Sequence, residues 1–540
     1  MDFVEGIESL TTRAELVADA IQFPTGEVDF GASGQGTEYL INEFKKIDKL
    51  TSDGYRDFVK QTLDRDHAVV VVFKPKASGG KGDVRAKLEY TARSDDRQPE
   101  PLVDPAEARK PLPSPRQGSV LGTAERYTLG NGMRVILLAY DGLPIVQAQL
   151  VLNAGDAFEP AGITGLADAT ARFLSPPADA NYTYWVSLGS DVDPDHTTFW
   201  SRGLNIHSDV VIEALERTVK IGQHDEEALE KFQKRVRNRF KSADYRREIA
   251  FAEELAAALY GPDHPYTRKG TARPETVGNI GYDASTGFKR EHYTARNAAL
   301  VVVGNFDKQK VRAKIERTFG AWSPGQETAA VPATRPQRTG AEVVGVVGKD
   351  QQQMRVTLAY PAPAGRDGQY AARLVLTEML NQQMAVIRTE LGSTYGTYAE
   401  MSEHVGPNSY SMGGRIDSAR AGESIKVMRD RIEALRRGDD LDRWFALARR
   451  QVLRQLLAES TDTRVMASRL ASIAAFGLGP DYYDQLVKYV AAVSPAQVRA
   501  IIAVELRPEL EVVVGMADRP TLEKAFREAG LARVRYVEPK

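Results

Sequence analysis

Ile387 to Tyr398 reads IRTELGSTYGTY, and the reading of this stretch decides the fold. Working outward, Leu376, Leu380, Met384, Ile387 and Leu391 recur at spacings of four, four, three and four, so the preceding segment is an amphipathic helix. Gly392 follows as its stop, because glycine takes the left-handed conformation without steric cost. Tyr395, Thr397 and Ala399 then alternate with Thr394, Tyr398 and Glu400, as a strand leaving the turn would. Arg388 therefore belongs to the last helical turn and Tyr395 to the start of the strand. A guanidinium and a phenol in those places can converge on one acceptor, such as a peptide carbonyl. The alternative is that Arg388 only complements the negative helix end while Tyr395 packs.

The pattern helix, R-x-x-x-G-x-x-Y, strand is Arg388, Gly392, Tyr395 in this chain. It resembles the C-terminal domain of the M16 (pitrilysin/insulinase) zinc peptidases. The resemblance implies that Arg388 and Tyr395 hold the substrate backbone opposite a zinc site.

A chain of 540 residues exceeds one core and suggests about three or four domains. Apolar content of 42% and charged content of 27% are those of an ordinary globular protein. A net charge of −2 gives no general reason to expect nucleic acid or an anionic membrane as partner. No apolar run approaches the roughly 20 residues that span a bilayer. The opening MDFVEGIESL lacks the basic and apolar regions of a signal peptide. Zero cysteines exclude disulfides, thiolate zinc sites and a cysteine nucleophile, and do not choose between bacterial cytoplasm and periplasm.

Residues 1–76 carry three helical stretches and the strand-like AVVVVF, which cannot form a sheet alone. Their text recurs later. Glu8-Ser9-Leu10-Thr11-Thr12-Arg13 matches Glu459-Ser460-Thr461-Asp462-Thr463-Arg464, and residues 50–72 align with 493–514. The first copy lacks a front half of roughly a hundred residues, estimated from the second, so 1–76 reads as the C-terminal part of a domain. Residues 77–122, rich in Pro, Gly and charge, read as a linker. A domain then runs from 123 to 322. It opens with the hairpin signal Leu129-Gly130-Asn131-Gly132-Met133 between strands 126–129 and 134–139. A strand over 146–153 alternates apolar and polar residues. A helix entry lies at 162–174, helices at 208–222 and 226–258, a strand at 300–306 and a helix at 308–319. A second linker, 323–341, precedes the last domain, 342–540. The order gives an α+β fold. With LGNGMRV, HPY (264–266) and VVVGNFD (301–307) as further anchors, the M16 resemblance covers nearly the whole chain. It implies one partial and two complete repeated domains, each an antiparallel sheet packed with helices.

That family carries H-x-x-E-H on a helix, two imidazoles as zinc ligands and a carboxylate as general base. Here Gly165-Leu166-Ala167 leads into Asp168 and Arg172 at the histidine positions and Ala171 at the glutamate position. The distal zinc-binding Glu aligns with Arg239. The seven histidines show no H-x-x-x-H or H-x-H spacing, and His264 of HPY reads as a packing or capping residue. Asp168 and Arg172 suit an i, i+4 ion pair. No metal site is expected in this chain.

GASGQG (31–36) fits neither G-x-S-x-G nor G-x-G-x-x-G, and GGKG (79–82) is no P-loop. The basic run KRVRNRFKSADYRR (234–247) reads as a solvated helix face. The resemblance thus implies the non-catalytic half or subunit of a zinc metalloendopeptidase. Its partner half would carry H-x-x-E-H and the zinc, and peptide or unfolded protein would be the substrate. The alternative is an inactive scaffold or peptide-binding subunit, like the core subunits of the respiratory bc1 complex.

Overall fold

The Leu129 carbonyl accepts the Gly132 N–H, and Gly132 at φ 93° supplies the left-handed residue of a three-residue hairpin loop. Asn131 keeps an ordinary φ and ties the loop down instead, its side-chain amide donating to the carbonyls of Phe319 (2.8 Å) and Trp322 (3.0 Å). The computed structural model describes residues 51, 53, 56–57, 110–113, 120–173, 186–221, 226–268, 270–332, 340–349, 352–392, 396–458 and 462–539. The segment read as 1–76 falls almost wholly outside them. Pro99–Lys540 form one unit.

The first half of that unit contains β1 (Glu125–Thr128), β2 (Arg134–Ala139), β3 (Ile145–Leu152), α1 (Leu166–Phe173), β4 (Ser187–Val192), β5 (Thr197–Leu204), α2 (Ser208–Glu216), α3 (Glu226–Phe240), α4 (Ala243–Tyr260), α5 (Tyr282–His292), β6 (Ala298–Gly304) and α6 (Lys308–Phe319). The second half repeats this plan with β7 (Glu342–Val347), β8 (Gln353–Ala362), α7 (Tyr370–Leu391), β9 (Thr397–Met401), β10 (Asn408–Asp417), α8 (Ala421–Arg437), α9 (Leu441–Ala458), α10 (Thr463–Ala475), α11 (Tyr482–Ala492), α12 (Pro495–Glu505), β11 (Val512–Ala517), α13 (Arg519–Glu528) and β12 (Val534–Val537).

The sheet orders β1-β2-β6-β3-β5-β4 and β12-β7-β11-β8-β10-β9 match strand for strand inside the outer edge. That edge is a hairpin strand in the first sheet and the C-terminal strand in the second. Both sheets are mixed, which corrects the wholly antiparallel expectation: β6 returns beside β2, and β11 beside β7, in parallel register. Each return crosses through the intervening helices, which is what a parallel pair requires.

The helix read over 226–258 is two helices. Ser242 breaks it by capping α4, its hydroxyl accepting the Tyr245 N–H. The basic run is largely exposed on α3, with only Phe232, Val236 and Phe240 of that helix buried. The 77–122 linker reading also needs amending at its end: Leu112 packs on the second core, Leu121 is buried, and Arg450 donates to the Lys110 and Pro111 carbonyls.

All eight residues of β3 are buried, Gln147 and Gln149 included, so its alternation does not mark a solvated face. One face meets the core with α1 and α2. The other is covered by α10 of the second half, whose Met466, Leu470 and Ile473 pack on Ile136, Val151, Val301 and Val303. Reciprocally, Phe251, Ala256 and Leu259 of α4 cover Val344, Val346, Val512 and Val514 of the second sheet. Each half lends the other a helix.

Candidate functional site

Helix α1 begins where Glu159 receives it. This buried carboxylate accepts the backbone N–H groups of Gly165 (2.9 Å) and Ala167 (2.8 Å), which have no partner inside the helix. Burial pushes the Glu159 carboxyl up to about 8, against the pull of those two N–H groups. The helix that would carry a zinc motif is therefore well formed and firmly held.

Its side chains do not suit a cation. Arg172 Nε donates to both Asp168 oxygens at 2.8 Å, an exposed i, i+4 pair worth a few tenths of a kcal/mol. Ala171 is buried and offers no carboxylate, and Arg239 lies exposed on α3. Zinc needs neutral imidazoles or anionic ligands with an open position for water. One committed carboxylate, a methyl group and two guanidiniums do not fit it, and no hydrolytic step runs through this helix.

Among the described residues, Asp193, Asp195 and His196 bring three potential ligand atoms within 4.8 Å of one another. Protein donors already hold them. Asp195 accepts the Tyr266 hydroxyl (2.5 Å) on one oxygen and the Val405 N–H (2.9 Å) on the other, with His404 Nδ1 at 3.6 Å. Asp193 Oδ1 accepts the backbone N–H groups of Asp195 and His196. Burial alone would raise the Asp195 carboxyl, but hydrogen bonds from His404, Tyr266 and Val405 outweigh it and hold it below its ordinary range. Tyr266 closes the knot by accepting the Gly406 N–H at 2.8 Å. The β4–β5 turn, the HPY segment and the β9–β10 turn are thereby clamped together across the two halves. Sequence reading missed this trio, whose donor Tyr266 belongs to the HPY segment. His264 of the same motif caps the short turn Pro265–Thr267, accepting the Tyr266 N–H while its Nε2 lies 2.9 Å from the Pro332 carbonyl.

In the second half α7 ends at Leu391, and Gly392 has φ 58°, as the opening stretch requires. The Arg388 side chain and all of Tyr395 lie outside the described residues. Around them the frame is fixed. Thr397 Oγ1 donates to the Met384 carbonyl (2.7 Å), the Ala399 N–H donates to Asn381 Oδ1 (3.2 Å), and Arg420 donates to the Leu391 carbonyl. Strand β9 is thus stitched along α7.

Residues 279–447, from the entry to α5 into α9, match the family model described as the peptidase M16 inactive domain. This part of the chain carries a likeness to the M16 peptidases. An uncharacterised zinc protease of Streptomyces coelicolor is 23% identical over 292 residues, which is 50% of this chain and 63% of that protein. This chain thus spans under two thirds of that relative's length. Its fold is similar to the peptidase M16 inactive domain from Pseudomonas fluorescens, with TM-score 0.65, 18% identity, and coverage of 73% of this chain and 98% of the other. It is also similar to the periplasmic protease PqqL from Escherichia coli, with TM-score 0.59, 14% identity, and coverage of 80% of this chain but 52% of that one. Among the described residues, no single helix is long and apolar enough to cross a membrane.

Proposed function

We propose that this chain is the non-catalytic half or subunit of an M16-like zinc metalloendopeptidase. It closes a peptide chamber and presents Arg388 and Tyr395 to the substrate, while a partner half carrying H-x-x-E-H supplies the zinc. The observation that carries this reading is an intact, well-capped α1 whose zinc positions hold the Asp168–Arg172 pair and Ala171. The match to an inactive-domain model, and coverage of about half of a periplasmic protease, support it. In the assembled enzyme the Arg388 guanidinium and Tyr395 phenol would donate to the scissile carbonyl as its oxygen gains charge.

The test is native mass and zinc content of the chain purified from its source, followed by mutation. A particle well above 59.5 kDa with about one zinc per pair of chains is expected. Arg388→Ala and Tyr395→Phe should each lower its turnover by roughly 10²–10³-fold without releasing zinc. Unchanged turnover would remove the role given to these residues. An assembled particle without zinc or hydrolysis would instead make the chain an inactive scaffold.

A further inference from the structure

A cavity of about 400 Å³ lies in the second half, where the N-terminal end of α7 meets α9, α10 and α11. Arg366, Arg464 and Arg469 line it together with the Ser468 and Ser472 hydroxyls, and Glu403 is the one carboxylate among the described lining residues. Glu403 is already matched. Arg366 donates to one of its oxygens at 2.6 Å and the Tyr370 hydroxyl donates to the other. The Arg366 side chain, only 4% exposed, is enclosed by the rings of Tyr370, Phe476 and Tyr482 and donates to the Tyr483 hydroxyl at 3.2 Å.

The other charged residues of the described wall are Arg464 and Arg469. Arg469 lies over the Tyr483 ring at 5.2 Å. Arg464 Nε stands 3.8 Å from Asp462 Oδ1, an oxygen that already accepts the backbone N–H groups of Arg464 and Val465 as the cap of α10. Leu374, Leu456, Val465 and Leu486 supply the apolar part of the described wall. Arg464 also ends the repeated text Glu459–Arg464, for which the peptidase reading has no use.

We propose that this cavity is a subsite for a small carboxylate ligand. Arg464 and Arg469 donate to the carboxylate, and Ser468 and Ser472 supply further hydrogen bonds. Two sources share that chemistry, a free organic acid and the C-terminus of a short peptide. The volume is at the lower end of small-ligand pockets, about 300–1,000 Å³. A neighbouring cavity of about 310 Å³ shares Glu403, Ser468 and Ser472 and continues past Gln149, Asp193 and His196, so the upstream residues of a peptide have somewhere to run. Tyr370, beside the cavity, and Arg388 stand at opposite ends of α7, about 27 Å apart at 1.5 Å per residue, so this subsite is separate from the role proposed for Arg388.

Calorimetric titration of the full 540-residue chain with triglycine, triglycinamide and succinate tests it. At least one of the two acids should bind saturably, and triglycinamide at least about tenfold more weakly than triglycine if the peptide end is the ligand. Preference for triglycine identifies a peptide terminus, and preference for succinate a free acid. Arg464→Gln should weaken binding about tenfold while Arg464→Lys retains part of it. Ser472→Leu, which fills the cavity and leaves the charges, should abolish it. Melting curves of the three variants check that each is folded. The proposal is overturned if neither acid binds up to about 10 mM, if triglycine and its amide bind equally while succinate does not bind, or if folded Arg464→Gln binds as the parent does.

Discussion

Glu159 is 2% exposed and has its carboxyl pushed up to about 8, from 4.5 in an unstructured chain. Between those values the folded protein holds a proton that the unfolded chain has released. Its contribution to stability is therefore full below about pH 4.5 and is lost as pH rises through about 8. The slope it adds is at most about 1.4 kcal/mol per pH unit. Urea midpoints should fall between pH 5 and 8 in the parent and fall less steeply in Glu159→Gln. That variant should also be about 1–2 kcal/mol less stable at pH 5, because one of the two N–H groups then faces an amide NH₂. Parallel pH profiles would contradict the assignment. Glu159 was not legible in the sequence, since it lies six residues ahead of Gly165, farther than a local capping box reaches. Gly392 and His264 were legible, because a left-handed stop and a cap depend on their immediate neighbours.

The exchanged helices α4 and α10 are where an element's text says least about its place. Nothing local in Thr463–Ala475 reveals that Leu470 rests on a sheet completed at Gly304. Gln147 and Gln149 misled in the same way, their polarity suggesting solvent where Gln149 in fact donates to Ser468 at 3.3 Å. By contrast, the periodicity of α7 and the loop at Gly132 follow from residues a few positions apart, and both stand where the sequence set them. Leu470→Ala empties a site with no solvent exposure and should cost about 2–5 kcal/mol. Because that helix joins the halves, the loss should appear in a single cooperative denaturation curve. Separate loss of the second half alone would argue against the shared core.

At the scale of the whole molecule, the two halves are not independent. Expressed alone, residues 340–540 would bare Met466, Leu470 and Ile473 on one side and lose α4 from Val344, Val346, Val512 and Val514 on the other. Patches of that kind drive association. The isolated segment should aggregate or self-associate in sedimentation experiments, and residues 99–332 supplied in trans should restore a soluble one-to-one complex. A soluble, cooperatively folding monomer of 340–540 would refute the interdependence. The inactive-domain match to residues 279–447 already straddles both halves.

Helix exchange also sets a timetable for synthesis. When Gly304 leaves the ribosome the strands of the first sheet are all present, yet their cover ends at Ala475, about 170 residues later. At roughly 5–20 residues per second, Ile136, Val151 and Val301 wait uncovered for on the order of 10–30 s. In the cell, the newborn first half would need a chaperone's shelter until its second half arrives.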